Sequence, residues 1–282
     1  MRSILVIIFF LFSTIVSAQE LYVFSEPASN VPARSLSFKY GGKWMQETSI
    51  GHEHVSSRHM LESSLGISKR LMLRPAITFG NMYAVYPDQQ QKFESLSLYL
   101  KYRFLSLDDV HKHFRASVYA KGIYSKNLLL YDELTMDGDQ TAVQFGVMAT
   151  QLIHKLAISA TASIHQVLDS ERFLKYGGPR RFGYQAFNYS LSSGYLMFPR
   201  KYNSYDQTNF NLYLELLGGI GLDRKYDFLD LAPALQLIIR SSSKLNIGYR
   251  FQVDASAYRM ATSSVYLSFE KTLLNKLGKK QK

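Results

Sequence analysis

From Arg34 to Glu270 the chain repeats one unit, a stretch of alternating apolar and polar side chains followed by a turn. Alternation with period two gives a β-strand one apolar and one polar face. The connecting segments alternate between short and long, so the long ones are expected at one end of the strands. A membrane barrel sorts its connections in this way, with tight turns at the periplasmic rim and longer loops outside. After the first eighteen residues no apolar run approaches the roughly 20 residues of a spanning helix. In lipid only helices and closed barrels satisfy every backbone N–H and C=O. The expected fold is therefore all-β, an antiparallel up-and-down transmembrane barrel of about twelve strands.

The fourth strand shows the pattern most cleanly, with Leu96, Leu98, Leu100, Tyr102 and Phe104 alternating with Ser97, Tyr99, Lys101 and Arg103. The first is expected over Ser35–Trp44, with Gly41-Gly42 marking a bulge or bend, and the last over Ser264–Glu270. Pro75, in the third, removes a ladder donor and belongs at an edge or bulge. Long connections are expected at Gln46–Arg58, Tyr86–Lys92, Lys126–Asp139, Leu168–Tyr184, Gly218–Asp230 and Asp254–Ser263.

Residues 1–18 carry one positive charge at Arg2, an apolar run from Ile4 to Val16, and Val16-Ser17-Ala18 before Gln19. That is the form of a cleaved secretory signal. Residues 19–33 then form either a periplasmic lead-in or a plug within the lumen, where Glu20 and Glu26 could meet a basic lining. The barrel is assigned to 34–271 and a basic C-terminal tail to 272–282. The chain contains no cysteine, which excludes disulfides and thiolate metal sites. The 20 Tyr and 18 Phe supply enough rings for interfacial girdles. A formal charge of +11 in a soluble chain would suggest nucleic acid. Export argues against that, and points to a pore lining, lipopolysaccharide contact or solvated ends such as Lys276–Lys282 instead.

Because a charge on the lipid face costs about 2–4 kcal/mol at mid-bilayer, the polar faces must line the lumen. They carry Lys39, Arg74, Lys101, Arg103, Arg115, Lys121, Arg240 and Arg250 against Glu62, Glu215 and Glu270. The excess of basic groups predicts a cationic lumen that favours a small anionic solute. The other reading open to the sequence is a lumen filled by Arg–Glu pairs from facing strands.

His52, His54 and His59 share the first long connection with Glu53 and Met60 and could hold a transition metal. Their spacing matches no closed structural zinc pattern, and an exposed polar loop explains them equally. Ser163 and His165 share a lumen face, and Asp223, Asp227 and Asp230 share another connection, but neither set has the spacing of a catalytic or calcium site. No catalytic residues and no cofactor are assigned, and the chain reads as a non-enzyme.

Three stretches carry a family resemblance: Gln19–Trp44, Leu65–Phe79, and DFLDLAPALQLII (Asp227–Ile239) with KLNIGYRFQ (Lys244–Gln252). They resemble a family of small outer-membrane β-barrel proteins of the Bacteroidota type. The resemblance implies the fold and an outer-membrane location, with passive or metal-associated roles, and supplies no catalytic residues. The expectation is a monomeric Gram-negative outer-membrane barrel among lipid and lipopolysaccharide that passes or binds a small solute. The alternatives are a metal-binding envelope protein and, last, a membrane enzyme.

Overall fold

The computed structural model describes residues 22–49, 52–82, 88, 90–110, 112–127, 131–168, 184–199, 206–223 and 225–277, without the side chains of 47–49 and 52–54. The expected signal sequence therefore lies outside the described residues. Twelve strands run in sequence: β1 (Leu36–Ser49), β2 (His52–Gly66), β3 (Leu71–Gly80), β4 (Lys92–Asp109), β5 (Lys112–Ser125), β6 (Ala142–Ile153), β7 (Leu156–Val167), β8 (Gln185–Phe198), β9 (Asn209–Gly221), β10 (Asp227–Ile239), β11 (Ser243–Ala255) and β12 (Ala261–Leu273). Each pairs antiparallel with its sequence neighbours, and β1 pairs with β12 from Leu36↔Leu273 to Gln46↔Ser263, closing the barrel. Closure leaves no strand edge to be satisfied by lipid. Both ends of the strand series sit at one rim, which is periplasmic in barrels of this construction.

Alternation sets the two faces. On β4, Leu96, Leu98, Leu100, Tyr102 and Phe104 are exposed on the outside, whereas Tyr99 and Lys101 are buried inside. The same division holds on β9, where Leu212 and Leu214 face out and Tyr213 and Glu215 face in. Leu100 stands at the centre of its strand, so Leu100→Arg should cost about 2–4 kcal/mol of barrel stability. Urea unfolding in lipid vesicles checks this; a loss well under 1 kcal/mol would mean that this face does not meet the bilayer core.

Several details depart from the sequence reading. The connection expected at Gln46–Arg58 is almost entirely strand, since β1 and β2 continue to Ser49 and His52. The connections expected at Gly218–Asp230 and Asp254–Ser263 shrink likewise, to the residues between Gly221 and Asp227 and between Ala255 and Ala261. Polar strand ends that project beyond the membrane lose the alternation that marks a strand. No bulge occurs at Gly41-Gly42; the β1–β12 register runs through them, and the Tyr266 ring lies where a Gly41 side chain would be. Pro75 falls in a break of the β2–β3 ladder, between Glu62↔Ala76 and Leu65↔Leu73, where its missing N–H costs nothing.

Candidate functional site

Two segments enter the lumen, one from each rim. From the periplasmic side, Tyr22–Val31 runs through the inside of the barrel. The Glu215 carboxylate accepts the backbone N–H groups of Val23, Phe24 and Ser25 at 2.8, 3.0 and 2.7 Å. The Ala28 N–H donates to Thr150 Oγ1 (2.9 Å), and the Ser117 hydroxyl donates to the Ala28 carbonyl (2.7 Å). Lys101 Nζ donates to the carbonyls of Pro27 and Ser29 at 2.9 and 2.7 Å. Arg74 pairs with Glu26, and Arg115 donates to Ser29 Oγ (2.9 Å). Rings complete the fit, with Tyr22 edge-on to Tyr213 at 5.5 Å and Phe24 against Tyr266 at 5.7 Å. The segment leaves over Gly66, where a Cβ would stand 2.1 Å from the Pro32 carbonyl oxygen. Only glycine permits that approach.

The β5–β6 connection folds in from the other rim. Asp139 pairs with Arg58 (2.5 Å) and Asp137 with Lys43 (2.7 Å). Glu133 binds Arg250 and Arg259, both at 2.9 Å, and Arg259 also pairs with Asp230 at 2.5 Å. Gly138 takes a φ of 119°, and a Cβ there would meet Ser95 Oγ at 2.9 Å, so the Asp-Gly-Asp sequence fixes the bend. The loop is also tied to the β11–β12 connection, since Asp132 N–H donates to the Tyr258 carbonyl (2.8 Å). Between the two inserts lies a cavity of about 340 Å³.

The Lys43 ammonium holds the Asp137 carboxyl well below the usual carboxylate range, outweighing the opposing effect of burial. At Glu133, burial pushes upward but Arg250 and Arg259 prevail, and the net shift is also downward. A depressed carboxyl contributes its full docking energy above its unperturbed pKa and loses it only as pH falls through the lower docked value. The loop should therefore stay docked from pH 7 to pH 5. Bilayer recordings should show an unchanged fraction of closed time across that window; opening within it would mean that other groups hold the loop.

The residues expected to line the lumen divide into two groups. Lys39, Arg74, Lys101, Arg115, Lys121, Arg250, Glu62, Glu215 and Glu270 do lie on inward faces. They form contacts rather than a bare cationic lining: Lys39 pairs with Glu62 (3.2 Å), and Lys244 with Glu270 (3.3 Å). Arg103 sits at the periplasmic rim and donates to the Lys69 carbonyl (2.7 Å). Arg240 is not in the lumen, since it occupies the β10–β11 turn with φ 49° and is exposed there. The charge excess read from the strands is largely cancelled by Glu26, Glu94, Glu133, Asp137, Asp139 and Asp230. Most of these lie outside the regular alternation. Glu94 is the extra residue of a register shift in the β3–β4 pair, which turns it inward to meet Arg58 at 2.6 Å.

His59 lies on β2, not in a loop, and faces outward. Its Nδ1 is 2.7 Å from Tyr40 Oη, and its ring stacks on Tyr40 and meets Trp44 edge-on. The side chains of His52 and His54 lie outside the described residues. Among the described residues no group of three or more His, Asp or Glu could hold a metal. Ser163 and His165 do not bond each other; Gln144 donates to Ser163 Oγ (3.0 Å), and His165 Nε2 lies 3.0 Å from Gln140 Nε2. Asp223 accepts the N–H groups of Tyr184 and Gln185, away from Asp230.

No family model matches the sequence, and no curated protein does. Among solved structures, the chain is similar to an outer-membrane channel from Pseudomonas putida F1, with 14% identity over 89% of this chain and 100% of that one, and a TM-score of 0.58. At that identity the likeness is one of fold, and the fold is that of Gram-negative outer-membrane β-barrel proteins. The KdgM porin (6% identity, 83% of this chain and 98% of that one) and the NanC porin (11% identity, 84% and 98%) are more distant, each with a TM-score of 0.49.

Proposed function

We propose that this protein is a gated, porin-like outer-membrane channel for small solutes, closed in the present conformation. The observation that carries this reading is the N-terminal segment threaded through the inner half of the lumen. A barrel kept only for structure has no need of a separate, removable core. Tyr22, Val23 and Phe24 anchor the segment among apolar side chains, and beyond them it is held by polar contacts, which exchange with water more readily than packed apolar side chains do. The β5–β6 loop narrows the outer half, and the cavity between the inserts is the compartment a solute would occupy in transit. Every strand is paired within one chain, so a monomer suffices. As a member of the Bacteroidota-type barrels that its sequence resembles, it would sit in a lipopolysaccharide-bearing leaflet. Exposed Lys126 and Lys225 at the outer ends would meet the phosphates there.

Planar-bilayer recording of the chain from Gln19 tests the reading. The expected trace has a closed baseline with brief, discrete openings. A steady open conductance at rest would overturn the proposed closure.

A further inference from the structure

The cavity between the two inserts deepens the channel reading, on which it rests, by indicating what the lumen holds. Around its wall the basic groups come with carboxylates: Lys39 with Glu62, Lys43 with Asp137, Arg58 with Glu94, Arg74 with Glu26, and Arg250 with Glu133. Lys121 is different. Among the described residues no carboxylate lies within ion-pair distance of it, and its ammonium donates a single 3.0 Å bond, to the Met136 carbonyl. It is half-buried and lines the cavity, so two of its three N–H donors remain to be satisfied there.

Aromatic and thioether side chains share the wall with these charged groups. Tyr119 lies two residues before Lys121 on the same face of β5, its ring 5.2 Å from that of Tyr99, and Met60, Met136 and Met148 contribute thioethers to the wall. Such side chains accept varied flat or linear apolar bodies. A cavity of about 340 Å³ is near the lower end of small-ligand sites, which run from roughly 300 to 1,000 Å³. The charge count limits the ligand further. Lys121 makes no direct ion pair and so has room for one negative charge, but Glu26, Glu62 and Asp137 on the same wall oppose any further one.

We propose that the cavity binds a small organic monoanion, its carboxylate on Lys121 Nζ and its apolar body against Tyr119, Met60 and Met136. Single-ring aromatic carboxylates and short aliphatic ones belong to this class.

Fluorine NMR titration of the refolded chain from Gln19 tests this with 4-fluorobenzoate, 4-fluorobenzyl alcohol and 4-fluorobenzylammonium. The benzoate should bind at least tenfold more tightly than either comparator. Lys121→Met should abolish that preference, and Lys121→Arg should keep it. Equal binding of the three probes, binding of none, or an unchanged preference in Lys121→Met overturns the site. Should Lys121→Met fail to fold, competition in the unsubstituted protein decides: benzoate must displace the probe at lower concentration than terephthalate, and the reverse order overturns the proposal. Selective binding by a barrel that never conducts would keep the site and reject the channel. Conductance without selective binding would do the opposite.

Discussion

Deleting Tyr22–Pro32 should turn brief openings into sustained ones and raise the mean current several-fold. The segment's removal frees the inner half of the lumen of its backbone and of the Tyr22 and Phe24 rings. It also changes the lining, because Glu26 is the one charged residue in the stretch. With it gone, Arg74 loses a carboxylate, and Lys101 loses Glu26 and the carbonyls of Pro27 and Ser29. The open barrel should therefore favour anions, as rings of basic residues do. Recording under a salt gradient reads both effects at once. Glu215→Gln gives a milder version, since it weakens three bonds to one carboxylate, each worth about 1.5–3 kcal/mol when the acceptor is charged. A folded deletion variant that stays silent, or one that opens with a cation preference, would contradict the assignment of this segment as the gate.

Arg58→Met should be the most destabilising single substitution in the lumen, at about 3–5 kcal/mol, because it leaves buried charges without their counter-charge. Both members of the Arg58–Glu94 pair are essentially inaccessible, at 4% and 0% exposure, and Asp139 depends on the same guanidinium. Adding Glu94→Gln should recover a good part of the loss by removing the more buried stranded carboxylate. Urea unfolding of the single and double variants in vesicles tests the pair. A single variant within 1 kcal/mol of the parent would mean that water reaches Glu94.

The barrel was legible in the sequence because lipid is unforgiving: any residue between the rims must obey the two-residue period, and Leu96 to Phe104 does so without exception. The extent of the strands beyond the membrane was not. Water tolerates any side chain there, so His52 to Arg58 lost its pattern and read as a loop. Continuing the alternation back from Glu62 through Met60 would have placed Arg58 inside. The lumen proved harder still. The bases within the alternation were visible, and Glu26 was open as a partner if residues 19–33 entered the lumen, but Arg259 and the acids Glu133, Asp137 and Asp139 arrive on segments with no periodicity. The available signal was complementarity, since an acid-rich connection such as Glu133 to Asp139 has reason to meet a base-rich wall. Glu94 gave no such signal, because a register shift reverses the face that its parity predicts.

The N-terminal insert has one further property, which follows from its attachment. It joins β1 through only a few residues beyond Val31, so its bonds to Glu215, Thr150 and Ser117 form within one molecule. A tether this short holds the segment at an effective concentration of about millimolar or more, whatever the number of barrels in the membrane. Once expelled, it stays tethered at the periplasmic mouth, and its return is a unimolecular step. Each molecule thus carries its own timer: openings end by themselves, and their length depends on how firmly the passing solute competes for the same space.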